Sequence, residues 1–215
     1  MRALVRDAGE PPAALDDPFA IVLHENAGYL VDDERRDALY ARLRAVAPDA
    51  AALFSADRDA LLAIARAGGM RPEARVARWR AIAEITLGEA DGDLRAALRA
   101  LPAAGARKLL GRYPAIGAPG VDRILLFAGI SAVPSVDSNG LRVLERYGVL
   151  DAGAPYARAY RDACAALRAA FGEDAAALRR AYAALRRHGK SICRRSIPQC
   201  PRCPVRRTCP SSTTR

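Results

Sequence analysis

Four cysteines near the C-terminus carry the strongest chemical signal in this sequence. Cys193, Cys200, Cys203 and Cys209 read C-x6-C-x2-C-x5-C. Thiols at that density suit three chemistries: two disulfides, a tetrahedral zinc site or an iron–sulfur cluster. The N-terminus, Met1-Arg2-Ala3-Leu4-Val5-Arg6-Asp7, lacks the long apolar core of an export signal. A reducing compartment disfavours disulfides, and spacing alone does not separate zinc from iron–sulfur. Cys164 lies outside the spacing and reads as a small apolar packing residue on a helix.

Two carboxylates stand out next. Asp137, in Ser135-Val136-Asp137-Ser138-Asn139-Gly140-Leu141-Arg142-Val143, reads as the N-cap of a helix, where its oxygen satisfies a backbone N–H that the first turn leaves without a partner. Glu25 interrupts the apolar stretch Pro18 to Leu30. A carboxylate there either lies on an exposed edge or is deliberately buried.

The elements that must position these groups are helical. Alternating β-branched runs and glycine hairpins are missing, whereas apolar residues recur at helical spacing throughout. Val76, Trp79, Ile82, Ala83 and Thr86 mark one face of a helix that follows Pro72 and ends near Gly88. Leu178, Ala181, Tyr182 and Leu185 mark another, which stops at His188-Gly189. Further helices are expected at about 18–30, 35–47, 57–67, 94–101, 104–112, 120–129, 138–147 and 156–171. From Ser191 onward apolar periodicity disappears and prolines stand at 198, 201, 204 and 210. Such a segment cannot build a core of its own, so its cysteines must pin it.

The 215 residues, 51% hydrophobic, exclude disorder over most of the length. No apolar run approaches the ~18–20 residues that a bilayer requires, so no membrane partner is expected, and the protein is read as cytoplasmic, nucleoid-associated and monomeric. Thirty-four basic against 24 acidic residues give a net charge of +10, which points to a polyanion. Two of the 34 are lysines, Lys108 and Lys190. That Arg and Ala bias is also what a GC-rich genome produces, so charge needs support from position.

Position supplies it. The cysteine spacing after His188-Gly189-Lys190 resembles the C-terminal [4Fe–4S] module of the endonuclease III family of helix-hairpin-helix DNA glycosylases. Leu109 to Gly120, LLGRYPAIGAPG, resembles the hairpin of the same family, with Ala115 at a position that is usually glycine. A tight turn of this kind leaves backbone N–H groups at a helix N-terminus, where a phosphate binds. Ser135 to Val143 resembles the segment that carries the catalytic aspartate. The resemblance runs from about Pro18 to Cys209 and implies an all-α, two-lobed fold. Residues 19–130 would form a six-helix barrel with the hairpin, and residues 1–18 and 131–215 the iron–sulfur cluster domain, with DNA in the groove between.

Residue by residue, the resemblance implies a [4Fe–4S] cluster on Cys193, Cys200, Cys203 and Cys209, and a catalytic Asp137 that stabilises the sugar cation. It implies a proton-handling Glu25, as in the adenine and mismatch-thymine branches. DNA contacts would come from Tyr29, where the family has a glutamine, from an apolar wedge at Met70, and from Ile116, Gly117, Pro119 and Gly120 of the hairpin. Arg194 and Arg195 of the cysteine loop would meet phosphates. Pro119 occupies the place of the lysine nucleophile of the lyase members, which removes the amine. The implied function is a monofunctional glycosylase acting on a flipped base in double-stranded DNA, with thymine or uracil opposite guanine ranked first. Adenine glycosylases usually carry a further C-terminal recognition domain, whereas this sequence stops shortly after Cys209. An adenine glycosylase, a bifunctional glycosylase/lyase and a non-catalytic DNA-binding Fe–S homologue are the alternatives.

The purified protein should be brown and hold about four irons per chain. One zinc and no iron after anaerobic purification would overturn the cluster assignment.

Overall fold

A computed structural model describes Val5 and residues 15–212. The described residues are helical and contain no β-strand. In chain order the helices are α1 Pro18–Glu25, α2 Asp33–Val46, α3 Ala50–Ser55, α4 Arg58–Arg66, α5 Pro72–Ala90, α6 Leu94–Ala100 and α7 Ala103–Leu110. They continue with α8 Ala118–Phe127, α9 Ser138–Arg146, α10 Tyr156–Phe171 and α11 Ala175–Ser191. Two 3₁₀ turns, Cys200–Arg202 and Arg206–Thr208, lie in the cysteine segment. No helix among the described residues is long and apolar enough to cross a membrane.

The helices start where aspartates let them. Asp17, Asp32, Asp49, Asp57, Asp93, Asp137 and Asp174 each accept a hydrogen bond from the backbone N–H three residues on. Each such cap is worth about 1 kcal/mol. The local reading of Asp137 as an N-cap therefore holds, but capping is common in this chain and does not mark Asp137 as special.

Two compact units form, Leu15–Ile124 and a second whose described part is Val5 and residues 125–212. In the first, α5 runs through the core with Trp79 fully buried. The indole Nε1–H donates to the Asn26 carbonyl at 3.0 Å. Tyr113 is buried at the hairpin, and its hydroxyl meets Thr86 Oγ1 of α5 at 3.0 Å. Burial pushes that phenol up to about 12, so it stays protonated and keeps its hydrogen bond. In the second unit α9 and α11 pack closely. A Cβ at Gly189 would lie 2.6 Å from the Asn139 carbonyl oxygen, so only glycine allows this approach.

Two expectations need correction. The helix expected over 18–30 ends at Glu25, because Asn26 folds its amide back onto the Val22 carbonyl (3.0 Å) and turns the chain. Leu30 then takes a positive φ of 55°. Helix α3 was not expected, since six residues are too short to show a period. The expected grouping of residues 1–18 with residues 131–215 falls mainly outside the described residues.

Ala115 adopts φ 59°, the left-handed region where a Cβ costs about 1–2 kcal/mol. Ala115→Gly should therefore raise stability by about 1 kcal/mol, less the entropy that glycine adds to the unfolded chain. A fall in thermal midpoint for this variant would show that the turn is not strained.

Candidate active site

Asp137 sits at the start of α9. Beyond its cap bond to Gly140 N–H (2.8 Å), it accepts from Asn139 Nδ2 at 2.9 Å and pairs with Arg186 of α11 at 3.4 Å. Three donors from two helices fix the carboxylate, and it remains partly open to solvent. Tyr156, at the start of α10, lies within electrostatic reach. Burial first, then the charges of Asp137 and Cys164, push its phenol above the ordinary tyrosine value.

A chain of hydrogen bonds runs from Asp137 to the cysteines. Asn139 Oδ1 accepts from Arg142 at 3.0 Å. The same guanidinium donates to the carbonyls of Gly189 (2.7 Å) and Cys193 (3.1 Å). One turn on, Arg146 donates to the carbonyls of Arg194 (2.7 Å) and Arg195 (2.9 Å) and approaches Cys193 Sγ at 3.5 Å. Helix α9 thus carries Asp137 at one end and grips the cysteine loop with its flank.

The four sequence-selected cysteines line one cavity of about 250 Å³, together with Val143, His188 and Val205. All are free thiols. Burial first, with the neighbouring thiols adding and a backbone hydrogen bond at Val205 opposing, pushes the Cys203 thiol up. Among the described residues no group of three or more His, Cys, Asp or Glu converges as a single-ion site. Four thiols around one cavity are a donor set that fits an iron–sulfur cluster as well as a zinc ion.

Ser138, Asn139, Arg142, Lys190, Arg194 and Arg195 border an open depression of about 260 Å³ beside the first turn of α9. Arg194 and Arg195 are exposed.

In the first unit, Glu25 ends α1 and forms an ion pair with Arg123 of α8. Its neighbour Asn26 donates to the hairpin carbonyl of Pro114 at 3.0 Å, so the end of α1 and the hairpin are tied together. His24 turns elsewhere, to Asp37 at 2.6 Å. Burial holds its imidazole below the usual range, against the hydrogen bond it donates to Asp37.

At the hairpin, Gly117 is exposed, and Pro119 and Gly120 are half-buried. Ile116 is buried and packs beneath Gly120. A role for Ile116 at DNA is thus limited to its backbone, because a hairpin needs a hydrophobic anchor below its exposed turn. Tyr29 and Met70 are not core residues: 49% and 61% of their surfaces are exposed. The Tyr29 N–H donates to the Gly68 carbonyl at 3.2 Å, which joins the two loops. Leu30, 79% exposed, extends this apolar tip and was not selected from sequence. Arg123, Arg142, Arg146 and Arg186 were missed as well. Spacing could have flagged Arg142 and Arg146 on the helix that Asp137 caps, whereas nothing local marks the other two.

No family model and no curated protein matches this sequence. Solved structures do. A trapped endonuclease III–DNA covalent intermediate superposes with TM-score 0.78 at 15% identity, covering 97% of this chain and 92% of that one. A non-covalent endonuclease III–DNA complex gives 0.78 at 15%, over 97% and 91%. A thermostable thymine-DNA glycosylase gives 0.72 at 16%, over 98% and 94%. The all-α fold is that of endonuclease III and of this thymine-DNA glycosylase, over nearly the full length.

Gly189→Ala forces a methyl group against the Asn139 backbone and should cost about 1–3 kcal/mol, as other overpacking substitutions do. An unchanged thermal midpoint would show that α9 and α11 separate without cost.

Proposed function

We propose that this protein is a base-excision DNA glycosylase that hydrolyses the N-glycosidic bond of a flipped base and leaves the strand intact. The observation that carries this reading is the Asp137 site, a carboxylate fixed by Asn139, Gly140 and Arg186 and joined through Arg142 to the cysteine loop. Its preorganised negative charge suits the oxocarbenium-like sugar that forms as the base departs. The fold shared with endonuclease III and a thymine-DNA glycosylase supports the same class.

A base within the stack cannot be reached, so the duplex must be opened. Tyr29, Leu30 and Met70 offer exposed apolar tips to fill the gap. Gly117, Pro119 and Gly120 present hairpin backbone to one strand, and Lys190, Arg194 and Arg195 face a phosphate of another stretch. Cys193, Cys200, Cys203 and Cys209 would hold a [4Fe–4S] cluster. When bound it supplies a rigid pin for the segment that carries Arg194 and Arg195. Glu25 accepts a proton from the attacking water. Schiff-base chemistry needs an amine. Pro119 has none, and Lys108 lies exposed in the last turn of α7, before the hairpin. Thymine or uracil opposite guanine is the substrate ranked first.

A panel of duplexes with one lesion or mismatch each, assayed with and without alkali, tests this reading. Excision of thymine or uracil opposite guanine, with strand breaks only after alkali and no borohydride-trapped adduct, is expected. Asp137→Asn should bind DNA yet lose about 10²–10³-fold in excision. A fully active Asp137→Asn, or efficient trapping by the natural protein, would overturn the mechanism.

A further inference from the structure

The carboxylates around the start of α8 are already engaged. Glu25 pairs with Arg123, Asp122 with Arg107 at 2.5 Å, and Asp37 with His24 at 2.6 Å. A guanidinium has no acceptor atom, so a carboxylate oxygen that meets one must itself be the acceptor. Glu25, paired in this way, is arranged to receive a proton and not to deliver one. His24 cannot deliver one either. Its ring is held neutral chiefly by burial, with the Arg123 charge adding, and the Asp37 bond opposes this without prevailing.

What α8 does offer is positive charge. Arg123 lies four residues after Pro119, hence one turn further along the same helix face. Its side chain is about one-quarter exposed, at 23%. It carries five planar N–H donors and keeps its charge at any working pH. Asn26 ties the end of α1 to the Pro114 carbonyl, and Glu25 next to it orients Arg123. A fixed guanidinium without a proton donor beside it stabilises a leaving group that departs as an anion.

We propose that Arg123 is a catalytic residue of this excision, taking the charge that leaves with the base and so selecting bases that depart as anions, uracil and thymine. The inference rests on the glycosylase reading above. In this step the C1′–N1 bond breaks and both electrons go to the base. The charge spreads over N1 and O2, which accept N–H bonds from Arg123. Water bonds through oxygen to C1′ and gives one proton to Glu25, which releases it to solvent, and the departed base anion takes a proton from solvent. The products are a neutral free base and a sugar hydroxyl.

Single-turnover excision by the full chain and by Arg123→Lys and Arg123→Gln tests this. The duplexes carry uracil, thymine or 5-fluorouracil opposite guanine, and 7-methylguanine opposite cytosine. Arg123→Gln should lose about 10²–10³-fold on uracil and thymine but only about tenfold on 5-fluorouracil, whose anion needs less help. Arg123→Lys should fall between, because a lysine retains charge without the planar fork. If Arg123→Gln fails to fold, the uracil to 5-fluorouracil ratio of Arg123→Lys decides. Equal loss on all three pyrimidines would overturn the proposal, leaving Arg123 as a support for Glu25. So would a natural protein that releases 7-methylguanine, a cationic base that departs neutral, faster than uracil. Failure of the natural protein to excise any base would instead overturn the reaction on which the inference rests.

Discussion

A stretch of chain with no hydrophobic periodicity has to be held by polar bonds, and in the second unit two arginines one turn apart on α9 do the holding. Arg142 and Arg146 donate to four carbonyls, those of Gly189, Cys193, Arg194 and Arg195. These bonds fix the backbone at and just after Cys193 and leave the Arg194 and Arg195 side chains exposed. The same helix begins at Asp137, so the position of the candidate catalytic carboxylate and the path of the basic loop are set by one rigid element. Charge-assisted bonds of this kind are among the stronger polar contacts, and breaking one leaves a backbone acceptor without its partner.

The first unit has its own fixed point in Asn26. Its side-chain amide spans Val22 and Pro114, and its carbonyl receives the Trp79 indole. One 3% exposed residue therefore joins α1, α5 and the hairpin. Glu25 precedes it, so the geometry that buries Asn26 also sends the Glu25 carboxylate to the outside of the turn, where Arg123 meets it. The buried amide leaves Asn26 Oδ1 without a hydrogen bond among the described residues. Losing that bond costs roughly 1–3 kcal/mol, which a strong reason for keeping asparagine must offset. The three-way tie is such a reason.

Much of the fold was legible in the residues because helices advertise themselves locally. Apolar spacing placed α5 and α11, proline opened α5, and Asp137 marked the start of α9. Boundaries failed where a tertiary bond overrode local preference, as at Asn26, and where an element was too short to show a period, as in α3. The site was legible only to the extent that it lies in contiguous motifs. The cysteine spacing, the hairpin and the capped Asp137 all do. Tyr29 and Met70 could be selected, but their exposure could not be read from types that serve equally well in a core.

By itself the sequence determined an all-helical chain, a thiol-rich segment that cannot form its own core, and a proline where an amine would be needed. These follow from local rules of backbone geometry and composition. Only the tertiary structure decided which guanidinium meets which carboxylate. Arg123 reaches Glu25 and Arg186 reaches Asp137 across long stretches of chain. In a sequence with 34 basic residues every acid has many candidate partners. The choice is made by helix packing, since a charge pair matters only within a few ångströms and those distances are set by the cores behind the helices.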